Sequence, residues 1–418
     1  MSQRRSQRIF KRNHRRVPNE ISLMVIDNLA DDLPSLRNLA LACRDFAASA
    51  RPYIFREIDL ASSSSPNLPD PTWTFPLVHR LDALLRTSEI NRFVQRLHLS
   101  SSRMSLDELE LTAHILHRLT ALASLSIHDP VTHLFKEVET SSFVGTLKQL
   151  YIDPLMPHSL HFISFQRMLM SFSCLEVLAV CGSPEFSEHR ALLLPNSLRV
   201  GSFTDTSAGL LRSVGAGLEI APLPFLRTLV LEPLSAGQDP ITWNGLGRDT
   251  QIIYMVQPSY FNVNQASTFN FATRGMTVSK LMFICLQSPW LAPSFVSIIA
   301  HLPDTVREVC IDIAAMVRSS DRFISEHQPE EWTKLDSAFV ARHERGLLKR
   351  VCFRCTEYKG ADSPHYIFSY YSLYHPPIGF PLVKDRSILD QMKNLLPRSK
   401  SMGFLDIDFD TMFFEPTM

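Results

Sequence analysis

Three groups of residues have the types and spacing to do chemistry. Asp406, Asp408 and Asp410 alternate near the C-terminus. Alternation puts all three carboxylates on one face of a strand, and three carboxylates together can hold a hard cation. The solvated face of a strand that buries Leu405, Ile407 and Phe409 has the same pattern, and its charges keep an exposed edge from pairing with other chains. Cys352 and Cys355 form a Cys-x-x-Cys, but no second pair and no His pair follows at zinc spacing. Packing in a core accounts for them. His114 and His117 lie three apart on a predicted helix without a third ligand, which reads as surface. There is no Gly-x-Ser-x-Gly elbow, phosphate-cradling glycine loop or His-Glu-x-x-His, and 14 glycines are few for a nucleotide-binding fold. The expectation is a chain with no catalytic residue, no metal and no cofactor.

Recognition is the chemistry that remains. Residues 356–386 are dense in aromatic side chains, among them Tyr366, Tyr370, Tyr371 and Tyr374, and residues 232–277 hold Trp243, Tyr254, Tyr260, Phe261 and Phe269. Tyrosine and tryptophan are enriched at interface hot spots, so the four tyrosines are candidate target-binding residues. A unit with its own aromatic core is the other reading of both stretches.

The elements that would position such residues recur along the chain. An apolar-x-x-apolar-x-apolar unit, usually with Lys or Arg in its gap, starts at Val94, Leu122, Leu147, Leu175 and Leu226, with a degraded copy at Leu198 that has Gly201 at its middle site. It returns at Val278, Val306, Leu348 and Met402. The early spacings of 23–28 residues fall in the range of leucine-rich repeats, which carry one short strand each. Alternation in Leu122-Ala123-Ser124-Leu125-Ser126-Ile127 puts Leu125 and Ile127 on one face. Helices are predicted between the strands: one opens on the capping box Ser105-Leu106-Asp107-Glu108, and another spans 161–173. Such units stack into an irregular solenoid with a parallel sheet on its concave side; a sheet of unrelated strands and helices is the alternative. The stretches 232–277 and 356–386 break the period and read as insertions.

Ahead of the repeats, residues 17–56 predict three short helices. Ile21, Val25 and Leu29 share one face, Asp32 is placed to cap the second helix with Pro34 in its first turn, and Leu36, Leu39, Ala40 and Cys43 form its stripe. The third helix runs from about Phe46 to Phe55 and is bent or shortened by Pro52. Forty residues bury too little to be very stable alone, so their apolar excess is covered either by the repeats, as a cap, or by another protein. The predicted organisation is a basic tail (1–16), a helical domain (17–60), a Ser/Pro-rich linker (61–76) and a repeat domain (77–418).

Charge and composition exclude several classes. Of 42 basic and 42 acidic residues, seven basic ones fall in residues 1–16, leaving the remainder slightly acidic. With no aromatic platform beside the tail, nucleic-acid binding is not expected. The tail reads as solvated and disordered, as an import signal, as an anionic-surface contact or as an Arg-rich leader. No run reaches a membrane span, and no secretory core is present. Seven scattered cysteines suit a reducing compartment, cytoplasmic or nuclear.

The helical segment also resembles a known family. Val17-Pro18-Asn19-Glu20-Ile21, Val25-Ile26-Asp27-Asn28-Leu29, Leu39-Ala40-Leu41-Ala42-Cys43-Arg44-Asp45-Phe46 and Arg51-Pro52-Tyr53-Ile54-Phe55-Arg56 are similar to the F-box-like segment of mushroom-type fungal proteins. Val17 stands where that pattern has Leu, and Phe46 where it has Trp. The resemblance covers about a tenth of the chain. It implies an F-box followed by degenerate leucine-rich repeats: a substrate receptor of a Skp–cullin–F-box ubiquitin ligase. In that reading the Skp-type adaptor, and through it the cullin, engages Pro18, Ile21, Val25, Leu29, Leu36, Leu39, Cys43 and Phe46. The repeats hold a target protein that the sequence does not name. An adaptor-independent repeat scaffold is the competing expectation.

Overall fold

The computed structural model describes residues 19–30, 32–42, 44–60, 75–87, 89–101, 104–153, 161–181, 190–204, 208–231, 243, 245–247, 250–256, 279–286, 291–316, 329–358 and 394–407. Three helices come first: α1 (Asn19–Asn28), α2 (Leu33–Ala42) and α3 (Arg44–Ile54). Asp32 accepts a hydrogen bond from the Ser35 amide at 3.1 Å, the cap the sequence predicts. That bonding to Ser35 holds its carboxyl below the ordinary aspartate range. Pro52 sits inside α3 without ending it.

Beyond α3, strands and helices are interspersed, with most strands followed by a helix among the described residues. The strands are β1 (Glu57–Asp59), β2 (Arg96–Ser100), β3 (Ser124–His128), β4 (Gln149–Asp153), β5 (Val177–Cys181), β6 (Val200–Thr204), β7 (Thr228–Leu231), β8 (Gln251–Val256), β9 (Lys280–Leu286), β10 (Glu308–Met316), β11 (Arg350–Tyr358) and β12 (Leu405–Asp406). Between them lie α4 (Phe75–Thr87), α5 (Leu106–Arg118), α6 (Thr132–Glu139), α7 (Phe162–Ser171), α8 (Ala208–Ile220), α9 (Leu291–His301), α10 (Pro329–Glu344) and α11 (Pro397–Ser401). The twelve strands form one sheet, parallel throughout, whose spatial order is the sequence order. This is an α/β fold of leucine-rich-repeat-like, solenoidal arrangement, since each strand contacts only its sequence neighbours.

The repeat follows from side-chain alternation. Leu97 and Leu99, Leu125 and Ile127, Leu150 and Ile152, and Leu178 and Val180 all point into one continuous core shared with the helices. Burying each such side chain contributes roughly 1.5–3 kcal/mol. The chain approaches each strand through a shared carbonyl. Arg56 O accepts from the amides of Gln95 and Arg96, Gln95 O from Ala123 and Ser124, and Ala123 O from Lys148 and Gln149, and the pattern continues through Lys148, Glu176 and Arg199. Side-chain hydroxyls tie the same region: Thr146 donates to Leu122 O at 3.1 Å, Ser197 to Leu175 O at 2.8 Å and Thr250 to Leu226 O at 2.9 Å. These hydroxyls satisfy carbonyls that lie too deep for water.

Several expectations are refined. The capping box at Ser105 forms, and the predicted helix over 161–173 is α7. The degraded copy at Leu198 is a true strand, β6, in which Phe203 and Leu229 fill the space above Gly201, each 3.3 Å from where its Cβ would stand. The stretch 232–277 is not wholly an insertion, because β8 lies within it and Trp243 and Leu246 are in the core. The sheet also starts earlier than residue 77, at β1, which follows α3 after two residues and pairs with β2.

At the far end, buried Asp336 of α10 accepts from the amides of Arg398 and Ser399, both at 2.9 Å, and from the Ser399 hydroxyl, so it caps α11 from another element. Arg342, also buried, donates to Leu302 O and Pro303 O at 2.8 Å each, and burial lowers its affinity for the proton. Among the described residues no helix is long and apolar enough to cross a membrane.

Candidate functional site

The first three helices pack around Ile26, Leu36 and Ala50, all fully buried, with Leu29, Leu39, Ala40, Phe46, Tyr53 and Ile54 around them. This interior is separate from that of the repeats, whose core begins at Phe55 and Ile58. The Tyr53 hydroxyl donates to Asp27 and fastens α3 to α1. That bond, above all, raises the phenol's pKa over its ordinary value. The Asn28 amide donates to Met24 O at 2.8 Å.

What this packing leaves outside is apolar. Ile21 is 48% exposed, Leu23 49%, Met24 60% and Val25 40% on α1, and Leu33 37% and Leu41 86% on α2. A soluble surface rarely keeps such side chains together unless something covers them. Removing them from water yields about 25 cal/mol per Å², and that free energy is available to a partner because the small interior does not use it.

The predicted adaptor-contact residues divide by burial. Ile21 and Val25 face outward, Leu29, Leu39 and Phe46 are half-buried, and Leu36 is at the centre of the interior. Leu36 therefore supports the surface instead of lining it. The expected shared stripe of Ile21, Val25 and Leu29 is split, because α1 turns Ile26 and Leu29 toward α3. Pro18 and Cys43 lie outside the described residues, as do Tyr366, Tyr370, Tyr371 and Tyr374. Leu23, Met24, Leu33 and Leu41 were not anticipated. Their signal was available: Leu23-Met24-Val25-Ile26 is an unbroken apolar run, more than one buried face of a short helix needs.

The sheet face turned away from the helices carries a second set of polar groups. His98 Nε2 is 3.4 Å and Arg96 Nη1 3.5 Å from the two oxygens of Glu57. The hydrogen bond to His98 is the main cause that keeps the Glu57 carboxyl below its usual range. His128 Nδ1 lies 3.2 Å from Asp153 Oδ2. Beside them Tyr151 and Ala179 form a small apolar cluster with Val177 and Val200.

The candidate chemical groups do not converge. Asp406 pairs with Arg350, and Asp408 and Asp410 lie outside the described residues. His117 Nε2 is 3.1 Å from Glu137, an inter-repeat pair. Cys352 is buried beside Cys310 of the preceding strand, β10. Strand β11 runs unbroken through positions 352 and 355, and positions three apart on a strand alternate to opposite faces. Among the described residues no group of three or more His, Cys, Asp or Glu could hold a metal ion.

No protein-family model matches the chain, and no curated protein matches it. Among solved structures, it is similar to a chain of the yeast Rad7 and Elc1 complex, with 15% identity and a TM-score of 0.34 over 87% of this chain and 94% of that one. A likeness at that level carries no argument about this protein.

Proposed function

We propose that the chain is a non-catalytic substrate receptor of a Skp–cullin–F-box type ubiquitin ligase. The observation that carries the reading is the outward apolar surface of α1 and α2, on a segment whose sequence resembles an F-box. A helical cap would spend its apolar face on the repeats. Here the face that is buried packs against α3, and the face that remains is exposed. In this reading a Skp-type adaptor covers Ile21, Leu23, Met24 and Val25, and the repeats hold a target. The receptor acts by proximity: it raises the local concentration of target lysines near a charged conjugating enzyme. No residue of this chain takes part in bond chemistry.

Co-expression of the full chain with a Skp-type adaptor, followed by size exclusion, tests the assignment. The pair should co-elute, and Ile21→Asp with Met24→Asp should separate them without changing the melting temperature of the repeats. Both positions are exposed, so the charges cost little in the free protein. If the folded wild-type chain ignores the adaptor, the adaptor-independent scaffold takes its place.

A further inference from the structure

The sheet is polarised across its strands. The residue whose carbonyl receives the next strand's two amides stands at the leading edge, where the chain enters the sheet. In chain order these residues are Arg56, Gln95, Ala123, Lys148, Glu176 and Arg199, then Arg227, which receives one amide from Gln251. Ser279 and Arg307 occupy the same place before β9 and β10, their carbonyls receiving the amides that lead into β10 and β11, and Lys349 precedes β11 directly. Cations dominate this row, with Glu176 its one acid. At the trailing edge of β2 to β6 the described residues are Ser100, His128, Asp153, Cys181 and Thr204, without a Lys or Arg. A chain with no net charge has thus gathered positive charge along one edge.

At one point the row also borders exposed apolar side chains. Arg199 and Arg227 are exposed just ahead of the neighbouring strands β6 and β7, joined by the bond from Arg227 N to Arg199 O at 2.8 Å. Phe225, two residues before Arg227, is 63% exposed, and Ile220, at the end of α8, is 69% exposed. Cations of the row also make local contacts. Lys148 is 3.7 Å from Glu176, and Arg307 donates to Gly346 O at 2.6 Å.

We infer that the leading edge around Arg199, Arg227, Phe225 and Ile220 is a docking surface for an acidic segment of another protein that carries aromatic or aliphatic side chains. Charge complementarity selects the acid, and the two exposed apolar side chains select its apolar neighbours. Glu176 in the row, and Glu219 beside Ile220, would repel a continuous phosphate backbone, whereas a peptide can place its carboxylates between them. Strands stand about 4.8 Å apart, so the cations form a ladder that an extended segment can follow. The surface stands whether or not α1 and α2 dock an adaptor.

The test uses the full chain and a fluorescently labelled random copolymer of glutamate and tyrosine, with polyglutamate and an oligothymidylate as comparators. The copolymer should bind, more tightly than either comparator, and bind more weakly as salt rises from about 50 to 300 mM. Arg199→Glu with Arg227→Glu should weaken it roughly tenfold, and Phe225→Ala roughly threefold. Lys136→Glu with Arg167→Glu makes the same charge change on α6 and α7 and should alter binding less than about twofold. Circular dichroism and melting confirm folding, and Arg199→Gln with Arg227→Gln replaces the reversal if that variant unfolds. Absence of copolymer binding overturns the inference. So does equal loss in the two double variants, or tighter binding of oligothymidylate, which would make the edge a nucleic-acid surface.

Discussion

At the scale of single residues, two carboxylates make opposite kinds of contribution. Asp336 is buried and accepts three hydrogen bonds from α11. Asp336→Ala leaves those donors without an acceptor, and each buried orphan costs about 1–3 kcal/mol. Allowing for relaxation, a loss of roughly 2–4 kcal/mol is expected in urea unfolding; a loss under about 1 kcal/mol would mean that α11 finds another cap. Glu57 is half-exposed, and its contribution depends on pH. Its folded pKa lies below the unfolded value, chiefly through the bond to His98. It therefore stabilises the fold above the unfolded value of about 4.3, and the effect fades as pH falls through the lower folded value. Glu57→Gln should melt below wild type near neutral pH, and the two should converge as the pH falls below the ordinary glutamate range. Parallel melting curves across that range would remove the ion pair as the cause. Neither role was legible in the sequence. Asp336 meets Ser399 across more than sixty residues, and Glu57 meets His98 only because the sheet begins one strand earlier than the first repeat read from the sequence.

At the scale of elements, the repeat was legible because the period of a parallel solenoid is written in side-chain alternation, and the residues named at Val94, Leu122, Leu147 and Leu175 are buried as such a strand requires. The pattern missed β8, because Asp249 stands three residues before Ile252, where the units that carry the pattern have Leu, Val or Met. At β1 the unit is present, as Phe55, Ile58 and Leu60, but those residues fall at the end of the predicted helical domain, 17–60. Close approach between elements was not legible either. Gly217 lies in the interior of α8, where replacing it by alanine would favour the helix by about 1 kcal/mol on propensity alone. Yet a Cβ at Gly217 would overlap the backbone carbonyl of Leu192, which is pinned in turn by its amide bond to Ser213 O at 2.7 Å. Neighbouring Leu193 exchanges two bonds with Gln166. A backbone held at both ends cannot move aside as a flexible side chain could. Overpacking costs of about 1–3 kcal/mol or more should win over propensity, so Gly217→Ala should lower the melting temperature. A variant as stable as wild type would show that the loop at 190–194 yields.

At the scale of the whole molecule, two interiors of unequal size share one chain. The repeats bury a continuous core from Leu60 to Phe404, whereas α1, α2 and α3 close around three fully buried side chains among the described residues. The three helices were legible from periodicity, but which side of them stays outside was not. Ile21, Val25 and Leu29 fit one stripe on a helical wheel, and only the packing of α3 decides that Ile26 takes the inside. The size difference has a consequence for dynamics. Opening free energy scales with buried contacts, so a small interior opens more often than a large one. In hydrogen exchange of the free chain, the amides of α1 and α2 should exchange at least about tenfold faster than those of β3 to β7. If a Skp-type adaptor covers Ile21, Leu23, Met24 and Val25, it binds only the closed helices and stabilises them by mass action. Protection should then rise in α1 and α2 and stay unchanged in β3 to β7. Equal protection of both regions in the free chain would mean that the helices already rest on the repeats, and the exposed apolar surface would then need another explanation than an adaptor.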